Sequence, residues 1–241
     1  TGLEPLTQNF IKDGGSYEGA EINNTGIQYI QDGEDELGRD SFESAIKLGS
    51  LVSKYNLAVT EKKIGVAIDL LKGLEDSFSN KGKSFVFYQR GLFYFYEKQY
   101  ESASENFLKG SALGDHQSCF MSAYMLFFGA GVEENEEKAY SFLKPLLDKE
   151  IKGPSRINAL LLMGSPSGAL YKYDERRYCK VDYLFEAHEL GSSYAAYWLG
   201  FHISEGLYPL EVHKTYSQAI EKGYQPRIGH LELFELAADS G

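Results

Sequence analysis

"FYQRGLFYFYEKQYESASENFLKGSALGD", residues 87–115, is the stretch that decides the fold, because it contains two helices whose faces fit together. Phe87 and Gly91 are four residues apart and so share one face of a helix, which ends near "EKQY". Ala103 and Phe107 have the same spacing in the segment that follows. Small residues let two antiparallel helices approach closely, and large residues fill the space on either side. The stretch therefore predicts a helical hairpin.

Similar hairpins recur along the chain. Five predicted first helices each carry a small residue at an equivalent place: Gly49, Gly91, Ala123, Gly164 and Gly200. Four intervals separate the first from the last (200 − 49), which gives a repeat of about 38 residues. Hairpins that repeat in this way stack, because each buries its apolar face only against its neighbours. The sequence predicts an all-α fold: a right-handed α-solenoid of about five helix-turn-helix repeats with capping segments.

A second stretch, "GAGVEENEEKAYSFL" (residues 129–143), is open to three interpretations: a phosphate-binding loop, an acidic metal site, or a bend between two helices. A phosphate loop follows a strand, whereas the preceding "FMSAYMLFF" has the pattern of a helix. Gly129 and Gly131 allow the chain to leave that helix, and Asn135 is a good N-cap for the next one. The stretch therefore predicts a bend.

The same bend resembles a Sel1-like repeat, a variant of the tetratricopeptide repeat with a longer loop between its helices. The residues that carry the resemblance are Gly129, Gly131, Val132, Asn135, Lys138 and Ala139. It covers roughly residues 42–223, and the hairpins around Gly91 and Gly200 are more similar to plain tetratricopeptide repeats. The resemblance implies that the first helices line the concave surface of a superhelix.

The chain is expected to have three segments. Residues 1–40 are rich in Gly, Asn and Asp and are predicted to form loops, with at most a short helix, that cap the first repeat. Residues 41–224 contain the helical hairpins. Residues 225–241 are predicted to form a C-terminal helix that covers the other end, since solenoids need polar caps.

Composition limits the classes of partner. The net charge of −11 and the pI near 5.0 disfavour nucleic acids and anionic membranes and favour a basic protein. The longest apolar runs are too short to span a bilayer, so we expect a soluble protein without membrane insertion. The chain begins with Thr1 rather than Met, as expected of a processed or trimmed product. Cytoplasm and periplasm both remain open.

The candidate catalytic and metal sites lack residues or spacings that their chemistry requires. "SNKGKS" (residues 79–84) has Ser77 where a phosphate loop needs its first glycine, and "GSPSG" has Pro166 where a nucleophile elbow needs its serine. The five histidines and the cysteines Cys119 and Cys179 match no metal-ligand spacing. "NNT" at residues 23–25 fits a glycosylation sequon, which occurs often by chance. We expect no catalytic residue, no cofactor and no metal ion.

Aromatic residues give the main functional signal. The chain has 18 Tyr and 15 Phe, and many of them fall at helical spacing on a second face of the predicted first helices. This face either packs against the neighbouring hairpin or lines an open groove that binds a partner. The residues of the predicted concave, partner-binding face are Phe85, Tyr88, Leu92, Phe95, Tyr96, Phe120, Tyr124, Phe127, Tyr194, Tyr197 and Phe201.

These observations favour a non-enzymatic scaffold that binds a protein or peptide in a concave aromatic groove with acidic rims. The resemblance adds an alternative, a bacterial immunity protein (antitoxin) that neutralises a cognate, basic toxin. It also implies two others: an adaptor with several partners, and a hydrolase of lactam antibiotics. The hydrolase is the least favoured, because relatives linked to that activity have paired cysteines within each repeat and this chain does not.

Overall fold

The computed structural model describes residues 19–165, 170–174, 180–195 and 198. The chain forms two compact units, residues 1–134 and residues 135–241, which are described one at a time. In the described ranges the regular structure is helical, in agreement with the predicted all-α class. No helix in these ranges has both the length and the apolar character needed to span a bilayer.

The first unit is a series of consecutive helices, each packed against the next. In addition α1 contacts α3 and α5 contacts α7, the pattern expected when helical hairpins stack side by side. Its described elements are α1 (Ala20–Gln31), α2 (Asp35–Lys47), α3 (Leu51–Thr60), α4 (Ile64–Leu71), a 3-10 turn (Leu74–Asp76), α5 (Asn80–Tyr96), α6 (Tyr100–Ala112) and α7 (His116–Phe128). This arrangement confirms the predicted α-solenoid.

The hairpin predicted from residues 87–115 is formed by α5 and α6. A Cβ added to Gly91 would come within 2.6 Å of the Phe107 ring, so the glycine allows α6 to approach α5 closely. Ala103 and Phe107 are both fully buried. The small and large residues thus have the packing roles that their spacing predicts.

The start of the chain differs from the prediction. The expected boundary between residues 40 and 41 falls inside α2, and residues 20–31 form a twelve-residue helix rather than loops. Gly49, predicted as an anchor within a helix, lies between α2 and α3 with a φ of 89°. Each of α1 to α4 packs against the next, and α1 packs most extensively against α2. A capping role for residues 1–40 stays a prediction.

A buried polar cluster attaches α1 to α3. The Ser53 hydroxyl and the Asn56 side-chain amide both donate to the Asn23 Oδ1 at 2.9 Å. All three side chains are buried, where unmade hydrogen bonds are costly. Asn23 is also the acceptor residue of the sequon, and its burial excludes glycosylation of the folded chain at this position.

The bend predicted from residues 129–143 is confirmed at both ends. Gly129 ends α7 with a φ of 65°, and its N–H donates to the Met125 carbonyl. Asn135 caps the next helix, where its Oδ1 accepts the Lys138 N–H at 2.8 Å. The stretch is therefore a connection between helices.

The second unit contains α8 (Glu136–Leu143), a 3-10 turn (Lys144–Leu147), α9 (Pro154–Met163), a 3-10 turn (Leu170–Tyr173) and α10 (Lys180–Glu189). α9 packs against α10, and a buried ion pair between Arg156 and Glu186 joins them. Gly164 is the C-cap residue of α9 rather than a mid-helix anchor. Gly200, Pro166 and the predicted capping helix at 225–241 lie outside the described residues.

Candidate protein-interaction surface

The packing of α6 places the aromatic faces of α5 and α7 next to each other. Phe107 of α6 and Met125 of α7 are buried together with Ala103, and side chains of α5 and α7 cover this cluster. Arg90 fixes α5 to α6, because its Nε donates to the Asn106 Oδ1 at 2.8 Å. The Arg90 guanidinium also pairs with Glu75 at 3.0 Å. These polar contacts of Arg90 therefore help to fix the α5–α6 hairpin against which the aromatic faces pack.

A continuous row of rings runs from α5 to α7. The Phe95 ring centroid is 6.4 Å from those of both Tyr96 and Tyr124. The Tyr124 centroid is 6.3 Å from that of Phe120 and 4.7 Å from that of Phe128. We call these five residues the aromatic strip. Its edge-on and tilted contacts are the geometries that aromatic pairs prefer.

Two rings of the aromatic strip are exposed to solvent, and Phe120 is half-buried. Tyr96 is 65% exposed and Phe128 is 48% exposed, which is unusual for large aromatic side chains. Phe127, predicted for the partner-binding face, is only 5% exposed and lies in the core, so that assignment was wrong. Its neighbour Phe128, which is absent from the predicted residues, lies at the surface instead, with its ring centroid 4.7 Å from that of Tyr124.

The other predicted residues of α5 are half-buried. Tyr88 lies with its ring centroid 6.1 Å from that of Phe107, and burial, followed by the charge of Asp115, raises its pKa. Leu92 packs against the same buried cluster. Phe85 packs against a different core, which Val52 and other residues of the first unit form. For these three side chains, packing within the solenoid accounts for much of their apolar surface.

The remaining predicted residues belong to the second unit. Tyr194 is 57% exposed, and its ring centroid is 5.9 Å from that of Trp198. Tyr197 and Phe201 lie outside the described residues. Nothing places Tyr194 relative to the aromatic strip, so its contribution to the same surface stays a prediction.

Acidic side chains stand at one end of the aromatic strip. The loop at 129–134 folds back onto the start of α6, where a Cβ on Gly131 would lie 2.5 Å from the Glu101 backbone nitrogen. Glu101, Glu133 and Glu134 are all exposed. The predicted acidic rim therefore has a counterpart beside the rings of the first unit.

The first unit also has a cleft of about 610 Å³, which the sequence did not predict. It lies where α1, α2 and α3 meet, and the Arg39–Glu61 ion pair at 2.9 Å borders it. The Lys63 backbone N–H, followed by Arg39, lowers the pKa of Glu61. Its walls mix apolar, acidic and basic side chains without a dominant chemistry.

Metal and thiol chemistry has little support in the described part of the chain. The described residues contain no group of three or more His, Cys, Asp or Glu side chains that could hold a metal ion. Burial, together with the charge of Asp115, raises the pKa of the Cys119 thiol to about 11. At neutral pH this thiol is protonated and therefore a poor nucleophile.

Solved structures similar to this chain include two helical repeat proteins. The crystal structure of c5321, a protective antigen present in uropathogenic Escherichia coli strains and displaying an SLR fold, aligns with a TM-score of 0.57 and 18% identity. The alignment covers 93% of this chain and 54% of c5321, so this chain spans about half the length of that protein. A Sel1 repeat protein from Oxalobacter formigenes aligns with a TM-score of 0.45 and 15% identity, over 91% of this chain and 72% of the other.

The first of these likenesses defines the class of fold. At 18% identity it shows the architecture alone: an all-α solenoid similar to the SLR (Sel1-like repeat) fold, as the bend at residues 129–143 predicted. No protein-family model matches the chain, and no curated protein does. The side chains of this chain are therefore the basis for its proposed partner.

Proposed function

We propose that this protein is a non-enzymatic scaffold that binds a partner protein or peptide through the aromatic strip on α5 and α7. The observation that carries the proposal is a set of five contacting rings across two helices, of which Tyr96 and Phe128 are exposed to solvent. Solenoid folds of this type are generally used for protein interaction. Tyr and Phe suit this role, because they offer a large contact area with few rotatable bonds.

The size of the exposed rings is compatible with useful affinity. Burying one fully exposed large apolar side chain is worth roughly 1.5–3 kcal/mol, so Tyr96 and Phe128, which are 65% and 48% exposed, together supply about 2–3 kcal/mol. Half-buried side chains such as Tyr88 and Leu92 complete the contact area around these two anchors. The concave shape of the surface, and the inclusion of Tyr194 in it, are parts of the proposal that rest on the sequence alone.

The test compares partner recovery by variants of the full chain. Tyr96→Ala combined with Phe128→Ala removes the two exposed anchors, and we expect at least about a tenfold loss of affinity for the recovered partner, since about 2 kcal/mol is lost. The matched control is Leu37→Ala with Leu48→Ala, which removes two exposed apolar side chains at α2. The helical circular dichroism should be unchanged in both. Equal partner recovery by the wild type and both variants would exclude the aromatic strip.

The immunity-protein alternative rests on the resemblance to Sel1-like repeats alone, and a net charge of −11 is compatible with a basic partner such as a toxin. It predicts one partner, encoded by a neighbouring gene, whose toxicity the chain suppresses. Co-expression with that gene's product would test it, and cells that die despite co-expression would argue against it. The hydrolase alternative has no supporting arrangement of side chains among the described residues, so we do not propose it.

A further inference from the structure

The two exposed rings of the aromatic strip lie at the same end of the first unit. Tyr96 is the last residue of α5 and Phe128 is the last residue of α7. Short connections join α5 to α6 and α6 to α7, so α5 and α7 both run antiparallel to α6 and parallel to each other. The C-terminal ends of both helices therefore lie together, each with an exposed aromatic ring.

The same end carries an excess of negative charge. The segments 96–101 and 128–134 contain four glutamates and one basic residue, Lys98. The four carboxylates are exposed: Glu97, Glu101, Glu133 and Glu134. The Glu134 Cβ lies 3.5 Å from the position that a Cβ on Gly129 would occupy, immediately after Phe128. The acidic residues thus lie in the segments that directly follow the two exposed rings along the chain.

The helix ends add to this charge. The C-terminal end of a helix carries a partial negative charge, which favours a nearby cation by typically 0.3–1 kcal/mol. The faces of exposed Tyr and Phe rings also attract cations, with about 0.5–1 kcal/mol for each pair at exposed sites. Arginine suits both contacts better than lysine, because its planar guanidinium stacks on rings and pairs with carboxylates through two N–H groups.

We infer that this end of the first unit receives a basic, arginine-containing segment of the partner, with an apolar side chain packed on the aromatic strip beside it. The inference rests on the proposed function and specifies the chemistry of its partner. A second copy of this chain is a poor occupant, because two molecules with a net charge of −11 repel each other.

A selection with a defined probe tests the inference. A phage-displayed library of random 12-residue peptides is selected on the immobilised full chain, and the affinities of the selected peptides are measured in solution. The Glu133→Lys/Glu134→Lys variant reverses two charges beside the strip. Asp40→Lys/Glu43→Lys is the matched control, which reverses two exposed charges on α2. Each variant changes the net charge from −11 to −7, because two −1 charges become +1.

The expected result is enrichment of arginine next to an apolar residue in peptides selected on the wild type. Their affinity should fall at least about tenfold in Glu133→Lys/Glu134→Lys and by no more than about twofold in the control, as expected of local charge complementarity. Raising the salt concentration should weaken the wild-type affinity toward that of the charge-reversed variant.

Other outcomes separate this inference from the proposed function. Peptides that lose affinity in Tyr96→Ala/Phe128→Ala but show no arginine enrichment, or bind both charge variants alike, overturn the basic partner and leave the aromatic strip in place. Peptides that bind the ring variant as tightly as the wild type, or a selection that yields no peptide, overturn both. Self-association by light scattering that the ring variant abolishes also overturns the inference, because it makes a second copy the occupant.

Discussion

At the scale of single residues, Gly131 sets how closely the loop after α7 approaches the start of α6. Its φ is 69°, a region that favours glycine, and a Cβ there would meet the backbone of residues 100 and 101. Such a clash with backbone atoms cannot be relieved by a change of rotamer, as a clash with the end of a flexible side chain can. Ala130 and Val132, on either side, pack against the buried cluster under the aromatic strip. A side chain at Gly131 would therefore lift the loop that carries Glu133 beside the strip.

The first prediction is that Gly131→Ala lowers the free energy of unfolding by about 2–5 kcal/mol, from the left-handed backbone and the overpacking together. Urea denaturation of the full chain measures it. Gly33→Ala is the control, because Gly33 has a similar φ of 83° but open space around it. Its loss should be about 1–2 kcal/mol, the cost of the backbone conformation alone. Equal losses in the two variants would mean that the loop does not press on α6.

At the scale of helices, the α5–α6 hairpin was predictable because its contacts are local in sequence. Small and large residues at a spacing of four, such as Gly91 with Phe87 and Ala103 with Phe107, specify which faces meet. The prediction of loops in the first forty residues differed from the structure because glycine occurs both in loops and where two helices pack closely. Gly26 lies inside α1, where a Cβ would come within 2.8 Å of the Phe42 ring, and so it marks close packing rather than a loop.

The aromatic strip was only partly predictable for a related reason. A helical period of 3.6 places both Phe127 and Phe128 near the face of Tyr124, and the pattern does not decide which of them is buried. The contact between Phe95 and Tyr124 joins two helices, and its existence depends on their relative offset. That offset is set by how α5 and α7 each pack on α6. The spacing of residues within either helix does not specify it.

The second prediction concerns α1, which we expect to be an integral part of the first unit. Asn23→Ala removes the acceptor for Ser53 and Asn56 and leaves buried donors without it, so the free energy of unfolding should fall by about 2–4 kcal/mol. Gln28→Ala is the control at an exposed position of the same helix, and it should change the stability by less than about 0.5 kcal/mol. Chemical denaturation measures both. Equal stability of the two variants would show that α1 is not attached to α3 through Asn23.

At the scale of the whole molecule, the solenoid explains how a chain can expose aromatic rings and remain folded. In a stack of hairpins, the stability of each hairpin depends on its own packing and on its immediate neighbours. Phe95 and Tyr124 occupy the boundary between successive first helices, so the rings that we propose for partner binding also join neighbouring repeats. Of the rings in the strip, only Tyr96 and Phe128 are exposed enough to be removed without loss of that contact.

The same nearest-neighbour logic yields the third prediction, which compares two destabilised variants by amide hydrogen exchange. Asn23→Ala should accelerate exchange mainly in α1–α3, whereas Gly91→Ala, which pushes on the Phe107 ring, should accelerate it mainly in α5–α7. Lys81→Ala, at an exposed position of α5, should leave both regions unchanged. A uniform acceleration from α1 to α7 in either variant would show that the first unit unfolds as one cooperative body. Acceleration confined to α5–α7 in Gly91→Ala would instead show that these helices open independently of α1–α3, as nearest-neighbour stacking predicts.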